Sequence, residues 1–231
     1  MPELLRYSLN DGIATITLQN GKVNAISSDL LKELNHALDQ AEAAGAVVIL
    51  TGQTGILSGG YDLKTMRSSP ENATNLVAEG STLTRRMLAH PQPIIVACSG
   101  HAVAKGAFLL LAADYRIGVE GAFTIGLNEV KIGMTMHHVG IALARNRLTP
   151  SAFERAVINA EMFTPQTAIA VGFLDELVTA EELLPRAEAV AKQLQTINMR
   201  AHAATKRKVR KDLLDTLDAA IALDRLTPLT A

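Results

Sequence analysis

The sequence predicts an α/β fold, and three observations predict it. Apolar, β-branched runs of strand length stand at 12–18, 46–50 and 93–98. Segments of helical period separate them, and the chain from about residue 180 to Leu226 reads as helix almost throughout. The run Ala46-Val47-Val48-Ile49-Leu50 is apolar without alternation, as a parallel strand covered on both faces must be.

Each element has a local cause. Gly12 to Leu18 alternates and is β-branched, which gives a strand, and Asn20-Gly21 marks the turn after it. Ser28 opens a helix whose Leu30, Leu31, Leu34, Leu38 and Ala41 share one face, and Gly45 ends it. After the strand at 46–50 comes a glycine-rich loop, Gly52 to Gly60, and then Asp62 caps a short helix from Leu63. The polar stretch Ser68 to Asn75, with Pro70 inside it, is expected to be a mobile surface loop. A helix from Asn75 to Ala89 follows, stopped by His90-Pro91. Pro93 to Cys98 is a second buried strand, Gly106 to Ala113 an apolar helix and Tyr115 to Val119 a third short strand. Thr149-Pro150 and Thr164-Pro165 each place a capping residue before a helix-starting proline. Thr179-Ala180-Glu181-Glu182 has capping-box spacing, with Pro185 an alternative start for the same helix.

Composition narrows the function. With 48% apolar residues the chain has ample material for a core, which excludes disorder. Lys and Arg number 22 against 23 Asp and Glu, a net charge of −1, which argues against a broad electrostatic nucleic-acid binder. Five Phe, three Tyr and no Trp leave few rings for stacking single-stranded bases. A lone cysteine, Cys98, allows no internal disulfide framework and no cysteine-rich metal site, and points to a reducing compartment. The N-terminal stretch has no signal-peptide pattern, and the longest clean apolar run, Gly106 to Ala113, falls far short of the roughly 20 residues a membrane span needs. A soluble cytoplasmic protein with no membrane partner is expected.

Two segments bring free backbone N–H groups together. Ser58-Gly59-Gly60-Tyr61-Asp62-Leu63-Lys64 is a glycine turn between a buried strand and a helix start, and Gly100 to Ala107 repeats the order. Unsatisfied N–H groups and the helix dipole favour an anion at each. Two such termini meeting at one point form an oxyanion hole for a polarised carbonyl. Either segment alone is equally a plain turn.

With two further stretches, these segments resemble the crotonase (enoyl-CoA hydratase/isomerase) superfamily. Lys22-Val23-Asn24-Ala25-Ile26 resembles the family's K-x-N-A-L loop, and residues 58–64 its F-S-A-G-x-D-L segment. Gly100 to Asp114 resembles N-G-x-x-x-G-G-G-x-x-L-x-x-x-C-D, and Ile125 to Gly133 resembles F-G-x-P-E-x-x-x-G. Order and spacing fit from residue 4 to about 190. The resemblance implies a spiral of ββα turns over residues 1–175, binding acyl-CoA, and a helical trimerisation region over 176–231. It implies a homotrimer or dimer of trimers and an acyl-CoA thioester substrate, with coenzyme A part of that substrate and no separate cofactor. It assigns the enolate-binding N–H groups to Tyr61 and Lys105. It places ligand contacts at Lys22, Asn24, Ala25, Gly59, Gly60, Tyr61, Asp62, Leu63, Lys64, Lys105 and Gly106.

Departures from the pattern bear on the reaction. Hydratases of the family use two glutamates. One matches Glu129, while the other falls at Phe108. Two carboxylates can hold a water and add it across a double bond; one suits a proton shuttle between two carbons. Phe108, Asp114-Tyr115-Arg116-Ile117 and Ile125-Gly126-Leu127-Asn128-Glu129 are similar to the Δ3,Δ2-enoyl-CoA isomerase branch, which implies that Glu129 carries a proton from C2 to C4. A hydratase is the alternative. Lys105 stands where the family has Gly, and Tyr61 where a small residue is common; only the backbone N–H is needed if φ stays negative. Met134-Thr135-Met136-His137-His138 replaces a Pro-Gly-rich loop, which makes His137 or His138 a second acid/base candidate. These departures also fit a non-catalytic acyl-CoA-binding or RNA-binding relative.

Other residues have ordinary readings. Adjacent His137 and His138 point apart and no Cys or His stands at ligand spacing, so no metal is expected. Cys98 reads as core, and Ser99 with His101 as loop residues. The basic run Lys206-Arg207-Lys208-Val209-Arg210-Lys211 is either a solvated helix face, a contact for coenzyme A phosphates or, less in keeping with the acidic residues around it, a nucleic-acid patch. Family members continue past the equivalent of Leu226 into a closing helix, and this sequence is expected to lack it.

Overall fold

The computed structural model describes residues 3–227, so the stretch from Pro228 to the end lies outside the described residues. Strands β1 (Leu5–Asn10) and β2 (Ile13–Leu18) form a hairpin. Its two-residue turn, Asp11-Gly12, has φ of 48° and 72°, the left-handed pair that matches strand twist. Helix α1 (Ser28–Ala43) follows, with Ser27 rather than Ser28 as its cap: the Ser27 hydroxyl accepts the Leu30 N–H.

Three ββα units then repeat. The first strand of each joins a large sheet and the second a small one. The strands are β3 (Val47–Thr51) and β4 (Gly55–Ser58), β5 (Ile94–Cys98) and β6 (Gly100–Val103), and β7 (Tyr115–Val119) and β8 (Ile125–Gly126). After these pairs come helices α2 (Leu63–Met66) and α3 (Pro70–Ala89), α4 (Lys105–Leu111), and α5 (His138–Arg147). Helix α6 (Pro150–Val157), β9 (Met162–Phe163), α7 (Pro165–Val171), β10 (Glu176–Val178) and helices α8 (Leu183–Gln195), α9 (Met199–Val209) and α10 (Lys211–Asp224) complete the order. The large sheet runs β1-β2-β3-β5-β7-β10, parallel from β2 onward, and the small one β4-β6-β8-β9. This is a spiral of ββα turns, as the resemblance implies, with a helical C-terminal region.

The period-2 pleat divides the large sheet's side chains between two cores. Ala14, Ile16, Val48, Leu50, Ile94 and Val96 face α1, α3 and α4. Ile13, Val47, Ile49, Ile95, Ala97 and Ile117 face α8 through Leu183, Ala187 and Val190. Both faces being covered explains why β3 and β5 carry no polar alternation, and Cys98 is a core residue there. Among the described residues no helix is long and apolar enough to cross a membrane.

Three expectations need correction. The stretch 68–75 is not a mobile loop: α3 begins at Pro70, with the Ser69 hydroxyl accepting the Asn72 N–H. Pro70 starts this helix for the same reason Pro150 and Pro165 start theirs, since its missing N–H is not needed at the first position. The loop 52–60 contains β4, and the stretch after Ser99 contains β6, each only four residues long. The basic run is neither a single solvated face nor a free phosphate patch. Lys206 and Arg210, one helical turn apart, reach inward to Asp114 at 2.6 and 2.9 Å, and Arg207 and Lys208 alone of the α9 cations in the run face outward.

Candidate active site

The site forms where the ends of β4 and β6 meet. After Ser58 the chain turns through Gly59-Gly60, and Asp62 caps α2 by accepting the Thr65 N–H at 2.9 Å. Tyr61 lies beside Ile26 in a parallel bridge: the Ile26 N–H donates to Gly60 O and the Asp62 N–H to Ile26 O. In that pattern the Tyr61 N–H faces away from Ile26. Lys105 is the first residue of α4, so its N–H has no partner within the helix. Among the described residues neither N–H donates to a protein acceptor. The two turns touch: a Cβ added at Gly60 would lie 3.1 Å from Ala104 Cβ and 3.8 Å from the Lys105 nitrogen.

Lys105 keeps a negative φ, and the strain falls on its neighbour instead. Ala104 has φ 51° and ψ −119°, a conformation L-residues seldom adopt. Its N–H donates to Gly126 O at 2.9 Å and its carbonyl accepts from Ala107 and Phe108, which holds it there. Ala104→Gly is therefore expected to stabilise the fold by about 1 kcal/mol, with relief of the strain outweighing the added chain entropy. Urea denaturation of the two proteins checks this; a loss of stability would contradict it.

Opposite these N–H groups, β8 leads through Leu127 and Asn128 to Glu129, which opens a single 3-10 turn, Val130–Ile132, closed by Gly133 at φ 81°. A cavity of about 370 Å³ lies between, lined by Gly59, Tyr61, Ala104, Asn128, Glu129 and His137 at its polar side. Met66, Val77 and Met134 wall its apolar side. Glu129 is the only acid among its lining residues. It is 5% exposed, and its Oε2 has no hydrogen-bond partner among the described residues. Burial pushes its carboxyl up to about 7.

Phe108, the residue that the resemblance sets against a hydratase's second glutamate, is the fourth residue of α4. It is fully buried and meets the His137 ring edge-on, centroids 5.1 Å apart. Burial pushes the His137 imidazole down to about 4, so that it is neutral at pH 7. His138 turns to the other side, with Nδ1 2.7 Å from Asp224. The buried Asp224 carboxylate also accepts the His138 and Val139 N–H groups and so caps α5 from α10. Among the described residues no group of three side chains is arranged to hold a metal.

The remaining predicted contacts divide. Gly59, Tyr61 and Leu63 line the cavity, while Lys22, in the loop before α1, and Lys64, on α2, are exposed. Ala25 is half-buried, its N–H donating to Asn20 O. Asp62 spends its carboxylate on the α2 cap. Asn24 and Gly106 each have a part in the scaffold. Asn24 is fully buried at φ 46°, its amide donating to Leu57 O at 3.1 Å and accepting from Gln53 at 2.9 Å. Gly106 lets α4 approach β4, since a side chain there would strike the Ser58 backbone. Sequence reasoning missed Asn128, Met66, Ala73, Val77 and Met134 on the cavity wall. Ala73 and Val77, four apart, would have been legible as one helix face had Pro70 been read as a helix start.

The enoyl-CoA hydratase/isomerase family model matches residues 8–227. A crystal structure of an enoyl-CoA hydratase/isomerase family protein from Pseudomonas syringae is 70% identical, superposes with a TM-score of 0.97, and the match covers 98% of each chain. "Enoyl-CoA delta isomerase 1, mitochondrial" of Mus musculus is 29% identical over 89% of this chain and 73% of its own. "Probable enoyl-CoA hydratase" of Bacillus subtilis is 32% identical over 81% of this chain and 74% of its own.

Proposed function

The chain belongs to the enoyl-CoA hydratase/isomerase family, and from that premise we propose that it is an enoyl-CoA isomerase working through one carboxylate. The observation that carries this reading is that Glu129 is the only acid among the described residues lining the cavity, while the buried Phe108 stands, by the resemblance, where a hydratase has its second glutamate. The thioester oxygen of a 3-enoyl-CoA sits against the Tyr61 and Lys105 N–H groups. Glu129 takes the proton from C2, and the C–H electron pair moves into the thioester as a dienolate whose oxyanion the two N–H groups hold. The carboxylic acid then returns the proton to C4 while the double bond settles between C2 and C3. No water enters, so nothing is added to C3. His137, neutral and packed on Phe108, borders the cavity and is placed to polarise or exclude solvent instead of supplying an imidazolium.

Incubation with 3-enoyl-CoA tests the reading: the absorbance of a conjugated thioester is expected to rise. With 2-enoyl-CoA, formation of 3-hydroxyacyl-CoA would indicate hydration and overturn it. Val209, Leu223 and Leu226, exposed on and just past α9 and α10, support assembly of the chain with copies of itself as a homotrimer or dimer of trimers, which sedimentation equilibrium would measure.

A further inference from the structure

Lys105 is the largest fully buried side chain among the described residues, at 1% exposure, and no carboxylate pairs with it. Its Nζ donates to the Gly80 carbonyl in the middle of α3 at 2.5 Å and lies 5.9 Å from the centre of the Tyr61 ring. The Tyr61 hydroxyl donates to Val77 O, one turn earlier on the same helix, at 3.4 Å. Gly80 is what makes this contact fit, because an added Cβ there would lie 2.7 Å from the ring's Cε1 and closer still to the hydroxyl. The side chains of the two residues whose N–H groups form the hole are therefore fastened to a single turn of α3, behind the hole.

We propose that the Lys105 side chain is a positioning residue of the oxyanion hole, holding both N–H donors to α3 and placing a positive charge behind them. The proposal rests on the enolate-forming reading above. An ammonium buried with one carbonyl and one ring face for company is costly to maintain: burial brings it down to about 7, so near neutral pH it is only partly charged until an oxyanion forms beside it. It becomes favourable when an oxyanion forms at the N–H groups of Tyr61 and Lys105, since attraction between buried charges is far stronger than in solvent. It does not touch substrate, and it favours the charged intermediate over the neutral bound thioester.

The test uses the full-length protein and acetoacetyl-CoA, whose enolate has its own ultraviolet absorbance. Lys105→Met keeps most of the side chain's length without its charge; Lys105→Gln keeps an uncharged N–H donor aimed toward Gly80 O, one atom shorter than Lys. In either variant the enolate fraction of bound acetoacetyl-CoA and the isomerisation kcat are expected to fall about tenfold or more, with KM and the binding of saturated acyl-CoA within about twofold. If Lys105→Met fails to fold, Lys105→Gln carries the same test. Unchanged enolate and kcat, or a loss confined to saturated acyl-CoA binding, would overturn the proposal. Absence of enolate with the unaltered protein would instead overturn the oxyanion hole itself.

Discussion

Glu129→Gln is expected to lower isomerisation kcat by about three orders of magnitude, in the range a positioned general base contributes. The affinity for a saturated acyl-CoA is expected to stay within about threefold, because Gln fills the same space and the N–H groups of Tyr61 and Lys105 are untouched. The same residue enters the pH dependence. Abstraction needs the carboxylate, which burial holds near 7, and the Lys105 ammonium is brought down to about 7 as well, so kcat/KM is expected to rise toward pH 7 and to fall again above it as Lys105 loses its proton. For Glu129, folding stability runs the other way. The folded state binds the Glu129 proton more tightly than the unfolded one, so the contribution is complete below the ordinary value of 4.5 and is lost as pH rises through about 7. That shift corresponds to about 3 kcal/mol. Glu129→Gln is thus expected to be more stable than the unaltered protein at pH 8, with the gap closing toward pH 5. Urea denaturation at the two pH values measures it, and a variant that retains full turnover would remove Glu129 from the mechanism.

Asp114→Ala is expected to cost about 3–5 kcal/mol of folding stability, since it strands a buried cation. Asp114 precedes β7 and accepts from three sides: the Ile94 N–H at 2.7 Å, Lys206 Nζ at 2.6 Å and Arg210 at 2.9 Å. The Lys206 side chain is only 4% exposed, so without Asp114 it must break its burial or lose its proton. Adding Lys206→Met to Asp114→Ala is expected to recover much of the loss, because the second change removes the stranded charge; a double-mutant cycle in urea reads the coupling. Additive losses would show that α9 is held to the core by other contacts.

These two residues also show how far the sequence could be read. The large sheet was legible because β3 and β5 must be apolar on both faces. The small sheet was not: β4 and β6 are four residues each, with Gly and Ser among them, and tertiary pairing at the register Gly55 to Gly100 makes them strands. The hole was legible as two glycine turns, but their meeting depends on Gly60 lying against Ala104, a contact that no spacing reveals. Glu129 stood out only through the family resemblance; its raised pKa comes from a cavity built by distant segments. The basic run invited a ligand reading, yet Lys206 and Arg210 turn inward because Asp114, 92 residues earlier than Lys206, is brought beneath them. Lys105 was legible as a departure from the family pattern, while its attachment to Gly80 needed the packing of α3.

Nuclear magnetic resonance of trans-2-enoyl-CoA equilibrated with the protein tests most directly whether a single carboxylate moves a proton without adding water. The 3-enoyl isomer is expected to appear with no oxygen gained at C3. Accumulation of 3-hydroxyacyl-CoA would contradict it and would mean that a water is held at the site without a second glutamate.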